Sequence, residues 1–199
     1  MIRKILKIPS PILALVLLLP LALTACETPV QVQKLPDLTF AHLAPINLNV
    51  ARIEVVSRYQ PPVKAPNVDH LFPTPPVKAM RQWAKDRLRA VGKDGLARLV
   101  ITDASAVETS LQKKSGSTAA FTKQQSQRYD LSVQARLEVS NRSGSGNASA
   151  HAKRFSTIGE DSSINTREKL WFDLTEALVR DFDATMEKNI RQHLGAWIR

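Results

Sequence analysis

The clearest pattern in this chain is an alternation of apolar and polar residues between positions 129 and 140. A period of two predicts a strand that has one face in a core and the other in solvent. The predicted buried face consists of Tyr129, Leu131, Val133, Ala135, Leu137 and Val139. The open face includes the polar side chains of Arg128, Gln134, Arg136 and Glu138.

Three further segments are predicted to be strands. Residues 46–57 alternate with a change of phase near Ala51, which allows a bulge or a strand end there. Residues 96–111 place Asp103 on their apolar side, where a buried carboxylate needs a partner. After a Ser- and Gly-rich turn, residues 147–158 carry alanine at alternate positions, so a helix can approach the sheet closely there.

The first of two amphipathic helices is predicted after a Pro-rich connection. Thr74 is its predicted N-cap, Pro75 its first residue and Gly92 its C-cap. Spacings of three and four residues give it an apolar stripe of Val77, Met80, Ala84, Leu88 and Val91.

The second helix is predicted over residues 166–194, with Asn165 as N-cap and Glu168 completing a capping box. Its apolar stripe is Trp171, Leu174, Leu178, Phe182, Met186, Ile190 and Leu194. The order β-α-β-β-β-α predicts an α+β fold, a four-stranded mainly antiparallel sheet with two helices packed on one face. Leu131, Val133, Leu174 and Leu178 are predicted core residues.

The N-terminus has a different organisation. Arg3, Lys4 and Lys7 precede an apolar run over residues 11–23, and the only cysteine, Cys26, follows directly after Leu-Thr-Ala. This order is typical of a secretory signal. The run is about half as long as the roughly 20 apolar residues of a spanning helix, and it contains proline. A plain signal peptide followed by a structural cysteine is the alternative.

The ending at Cys26 resembles the lipobox of bacterial lipoprotein signal peptides. The resemblance implies that residues 1–25 are a removed signal and that Cys26 is acylated, so that its acyl chains bind membrane lipid. Residues 26–45, rich in proline, are then a lipidated tether, and residues 46–199 are a single periplasmic domain. Glu27 rather than Asp after the cysteine resembles an outer-membrane address, on the periplasmic face, with the inner membrane as the alternative.

Net charge adds a hypothesis about partners. The chain carries a formal charge of +10, and removal of the three cations of the signal leaves +7. Basic domains often bind nucleic acid, but an exported protein rarely meets it, so no nucleic-acid partner is expected. Attraction to an anionic lipid surface is one explanation of the surplus. Charge that serves solubility alone is the other.

Motifs for catalysis or metal binding are absent from the sequence. The four histidines, His42, His70, His151 and His193, lack the spacing of a metal site, and there is no nucleophile elbow or Gly-rich phosphate loop. We therefore expect no enzyme activity, no metal and no cofactor.

A basic segment between the second and third predicted strands is the candidate binding site. Lys113, Lys114 and Lys123 accompany an apolar Phe121 there, a combination that suits an anionic amphiphile or a partner groove. The alternative is a loop whose phenylalanine packs back onto the sheet.

A lipobox, a tether and one β-α-β-β-β-α domain resemble, as an architecture, the lipopolysaccharide-assembly lipoprotein E type. That resemblance implies a non-catalytic lipoprotein accessory to outer-membrane assembly or transport, with an envelope partner such as a barrel. Auxiliary lipoproteins of lipid-exporting ABC systems have a similar layout. A lipid-binding auxiliary lipoprotein whose partner is an ABC transporter component is therefore the alternative function.

Overall fold

A computed structural model describes residues 34–112 and 124–199. These residues form six strands and two α-helices, in the order β1, β2, α1, β3, β4, β5, β6, α2. Their bounds are β1 Ile46–Leu48, β2 Arg52–Ser57, α1 Pro76–Arg87, β3 Leu88–Ala90, β4 Leu96–Ser110, β5 Gln125–Asn141, β6 Gly144–Gly159 and α2 Ile164–His193. The predicted α+β class is confirmed.

The main sheet has the strand order β2-β4-β5-β6. β4, β5 and β6 are antiparallel neighbours, so that Leu137 on β5 lies between Leu99 on β4 and Ala148 on β6. β2 runs parallel to β4, with Arg52 opposite Leu96, because the helix α1 lies in the connection between them. The predicted four-stranded, mainly antiparallel sheet is therefore present.

The predicted first strand is divided into two. β1 pairs in parallel with the short strand β3, whereas β2 joins the main sheet. The division falls next to Ala51, where the sequence pattern changes phase. Each half thus takes a different neighbour, which the alternation alone does not reveal.

The first helix ends earlier than predicted, and Gly92 is not its C-cap. α1 stops at Arg87, and Leu88 is already extended because it pairs with β1. Val91, predicted on the apolar stripe, is 46% exposed. The amide of Gly92 donates to the carbonyl of Val50 at 2.9 Å, so this residue continues the pairing beside β1.

Both predicted N-caps are also corrected. Pro75, rather than Thr74, occupies the N-cap of α1, and no side chain caps that end. α2 starts earlier than predicted, and its N-cap is Ser163, whose Oγ accepts a hydrogen bond from the amide of Thr166 at 3.1 Å. Asn165 lies inside the first turn, so the predicted capping box does not form.

The core lies between the sheet and the two helices. All six apolar positions predicted for β5 are at most 1% exposed, and the apolar stripe of α2 is buried along its length. On β6, alanine at alternate positions lets α2 pack close to the strand. These residues are Ala148, Ala150 and Ala152. The four predicted core residues are all buried.

Because of a β-bulge, the side chains in the second half of β4 lie on the opposite faces of the sheet from those predicted. The register with β5 shifts between Ile101 and Asp103, so the extra residue moves the following side chains to the other face. Ala104 and Ala106 are buried in the core, whereas Asp103 is only half-buried. The predicted position of Asp103 on the apolar face is therefore wrong.

The first and last described segments both pack onto the domain. Phe40 is buried, and its amide donates to Asp86 Oδ2 on α1 at 2.8 Å. At the other end, the amide of Asn49 donates to the carbonyl of Trp197 at 2.7 Å, and that of Arg199 to Asn47 at 3.0 Å. Within residues 34–112 and 124–199, no helix combines the length and the apolar character needed to cross a membrane.

Candidate functional site

The open face of the main sheet carries two adjoining depressions. The larger, of about 390 Å³, lies near the β5–β6 turn, and the smaller, of about 250 Å³, lies towards the middle of the sheet. Both include Arg136 and Glu138 in their walls. Polar and basic side chains complete the lining, among them Arg58, Arg98, Thr102, Gln134, Asn147 and Ser149.

Two arginines of this face are available to a ligand. Glu54 pairs with Arg52 at 3.4 Å and with Arg98 at 3.1 Å. Arg58 and Arg136, by contrast, form no ion pair with any residue of the described chain. Both line the smaller depression, next to Val100, whose side chain is buried. Guanidinium groups without an ionic partner suit a phosphate or a carboxylate.

The structure separates Arg128 from the other predicted open-face residues. Gln134, Arg136 and Glu138 line the smaller depression together. Arg128 instead donates to both carboxylate oxygens of Asp130, at 2.8 and 2.7 Å, and its guanidinium lies 3.8 Å from the ring centre of Phe155. The hydrogen bonds from Arg128 lower the pKa of Asp130. The guanidinium of Arg128 is thus already engaged with Asp130 and Phe155, unlike those of Arg58 and Arg136.

The remaining predicted site residues lie outside the described part of the chain. These are the acylation site Cys26 and the basic segment Lys113, Lys114, Phe121 and Lys123. In the sequence the four residues of that segment fall between the end of β4 at Ser110 and the start of β5 at Gln125. Its proposed binding role stays a prediction.

The histidines are dispersed over the surface. His42, His70, His151 and His193 are all exposed, and in the described ranges no three His, Cys, Asp or Glu side chains converge on a possible metal position. His151 Nε2 lies 3.2 Å from Ser132 Oγ. No carboxylate of the described residues hydrogen-bonds to that imidazole, so the pair lacks the third group of a catalytic triad.

A buried charged cluster between the two helices was not predicted from the sequence. Arg87 on α1 is 2% exposed, and its Nε donates to Asp183 Oδ1 on α2 at 2.7 Å. Trp83 Nε1 donates to the same oxygen at 2.7 Å, and Arg87 Nη2 donates to Glu187. Hydrogen bonds from Arg191 and the charge of Arg87 lower the pKa of Glu187 despite its partial burial.

A second unpredicted feature is a buried carboxylate in the Pro-rich connection. Asp69 is 1% exposed, and neither of its oxygens accepts a hydrogen bond from the described residues. Burial and the nearby charge of Asp69 raise the pKa of Tyr59, although no hydrogen bond joins the two side chains. On the same connection, Phe72 stacks on Trp171 at 4.7 Å. A lone Asp among prolines gave no periodic signal, which is why the sequence did not reveal it.

Comparisons with known proteins leave the family of this α+β domain open. No family model matches the chain, and no curated protein matches it. Among solved structures, rare lipoprotein B from Shewanella oneidensis is similar with a TM-score of 0.36 and 12% identity, over 68% of this chain and 91% of that one. A likeness at this level assigns neither ligand nor activity.

Proposed function

We propose that the protein is a non-catalytic, lipid-anchored lipoprotein on the periplasmic face of the outer membrane, accessory to envelope assembly or transport. The observation that carries the proposal is the position of the only cysteine, Cys26, directly after Leu-Thr-Ala at the end of a basic and then apolar segment. Acyl chains on this residue hold the domain at a membrane surface.

The rest of the chain is consistent with a binding role at that surface. The core forms without disulfides, since no second cysteine exists, and on the open sheet face Arg58 and Arg136 pair with no carboxylate of residues 34–112 or 124–199. The non-catalytic part of the proposal rests on the sequence, which lacks nucleophile and metal motifs. The expected partner is an envelope protein, either a barrel or a transporter component.

Replacing Cys26 with Ser tests the anchor. Cells that express the parent are expected to incorporate labelled palmitate into the protein, and the variant is expected to incorporate none. Glu27→Asp is the matched control, because it keeps the cysteine and the label while the sorting resemblance predicts a move from the outer to the inner membrane. An unlabelled parent, or a Cys26→Ser variant that keeps the label, would contradict the proposal.

The arginines of the open face favour a second candidate function, that of a lipid-binding auxiliary lipoprotein. Arg58→Gln with Arg136→Gln removes two cations that could pair with a lipid phosphate. Loss of such charged hydrogen bonds is expected to weaken binding of short-chain phosphatidylglycerol at least about tenfold. Titration calorimetry measures the affinity for this lipid. Arg128→Gln is the control, and it is expected to keep the parent's affinity because Arg128 is paired with Asp130. Equal affinities in all three proteins would exclude this face as a lipid site.

A further inference from the structure

The helix α1 presents a stripe of three cations. Lys78, Arg81 and Lys85 follow one another at spacings of three and four residues, and all three are exposed. This spacing places them on one side of the helix. The opposite side of α1 is buried in the core through Met80, Trp83 and other residues. We call Lys78, Arg81 and Lys85 the basic stripe.

No cation of the basic stripe forms an ion pair with a residue in the described ranges. Two cations on α2 differ, because Lys169 pairs with Asp173 at 2.6 Å and Arg180 with Glu176 at 3.2 Å. The charge of the basic stripe is thus left for a group outside the domain.

The carboxylate beside the basic stripe is already held by hydrogen bonds. Asp86 accepts them from the amide of Phe40 at 2.8 Å, from Thr39 Oγ1 at 3.1 Å and from Gln82 Nε2 at 2.9 Å. Burial raises the pKa of Asp86, but these three donors and the charge of Lys85 outweigh it and lower the pKa. Asp86 therefore fastens the entering chain to α1.

The entering chain reaches the domain next to the basic stripe. Asp37, Leu38 and Thr39 share a depression with Lys78 and Gln82 on α1. Cys26 precedes Lys34, the first described residue, by eight positions. Eight residues span at most about 28 Å even when fully extended. An acylated Cys26 therefore keeps the start of the domain, and α1 with it, close to the bilayer.

We infer that the basic stripe lies on an anionic phospholipid surface and orients the domain, with α1 towards the bilayer and the open sheet face away from it. The inference rests on the proposed function, because it takes acylated Cys26 as the anchor. The acyl chains insert into the bilayer and the basic stripe is attracted to its anionic head groups. A protein with both interactions binds the membrane more stably than a protein with either alone. The open face then stays accessible to a partner in the periplasm.

The orientation can be measured on the lipidated protein in phosphatidylglycerol vesicles. A fluorescent label is attached to Thr74→Cys, beside the basic stripe, or to Gln134→Cys on the open face, and lipids with a quencher on the head group are added. Cys26 is blocked by its acyl group. We expect the label at position 74 to be quenched about threefold more than the label at position 134, and the difference to shrink in 1 M salt, where the Debye length is about 3 Å.

Charge reversal at the basic stripe supplies the second arm. Lys78→Glu, Arg81→Glu and Lys85→Glu together are expected to abolish the difference between the two labels while the protein stays on the vesicle. The control, Lys169→Glu, Arg180→Glu and Lys188→Glu on α2, changes the net charge equally and is expected to keep the difference. Thermal melting tests whether both variants fold. If the stripe variant does not fold, the effect of salt on the quenching difference in the parent decides whether the basic stripe contacts the lipid.

Three results would overturn the inference. They are equal quenching at positions 74 and 134 in the parent, stronger quenching at position 134, or a difference that persists in neutral phosphatidylcholine vesicles and in high salt. A partner with an acidic protein surface, rather than a lipid surface, would give the first of these results. Loss of vesicle association altogether would instead count against the acyl anchor, which palmitate labelling tests separately.

Discussion

Replacement of Arg87 by Met is expected to destabilise the domain by about 3–5 kcal/mol. The guanidinium is 2% exposed and donates to Asp183 and Glu187, so Met fills a similar volume but removes both ion pairs. Asp183 then stays buried with Trp83 as its main donor. An uncompensated buried carboxylate costs more than the ion pair contributed, because its desolvation is no longer offset.

Urea unfolding of the parent and the Arg87→Met variant measures this loss. The matched control is Arg180→Met, which breaks the exposed pair with Glu176 on α2 and is expected to cost less than about 1 kcal/mol. Adding Asp183→Leu to Arg87→Met removes the orphaned charge and is expected to restore part of the stability. A cost for Arg87→Met no larger than that of Arg180→Met would show that the cluster does not hold α1 to α2.

Truncation of Leu178 to Ala is expected to cost about 2–5 kcal/mol. This side chain is fully buried in the stripe of α2 that faces the sheet, and its removal leaves a cavity that the rigid strands cannot fill. Thermal or urea unfolding gives the value. Leu71→Ala is the control, because Leu71 is 55% exposed and its loss should change stability by no more than about 0.5 kcal/mol. Equal effects of the two substitutions would mean that Leu178 is not in the core.

Elements with an uninterrupted period were predictable from the sequence. Every apolar position predicted for β5 is buried, and so is each position of the stripe of α2. A residue on a regular strand or helix can change face only if the element itself is interrupted. In long regular segments such as Gln125–Asn141 and Ile164–His193, the local sequence therefore predicts which side chains are buried.

Other features depend on contacts between distant residues. The stripe of α1 continues through Leu88 in the sequence, yet the helix ends because Leu88–Ala90 pairs with Ile46–Leu48, which lies far away in the chain. The bulge after Ile101 likewise follows from pairing with β5, since no Gly or Pro marks it in the sequence. Such tertiary pairing overrides local preference.

In the candidate site, too, some features were predictable from the sequence and others depend on contacts between distant residues. Gln134, Arg136 and Glu138 share a face because alternate residues of a strand do, so their proximity was predictable. Whether an arginine is free or paired depends on its neighbours in space. Arg128 is paired with Asp130, two residues further along the same face, while Arg58 comes from the chain beyond β2 to lie near Arg136. The cluster of Arg87 and Asp183 joins residues 96 positions apart, which no local pattern records.

The hydrogen bonds between residues 47–49 and the segment 197–199 have a consequence for the order of events in folding. A chain leaves the ribosome from its N-terminus, so β1 emerges well before its partner segment 197–199. Contacts of such long sequence separation form late and slowly. The edge of β1 therefore stays open until residues 197–199 have been released, and a chain arrested before that point would present the edge to other proteins.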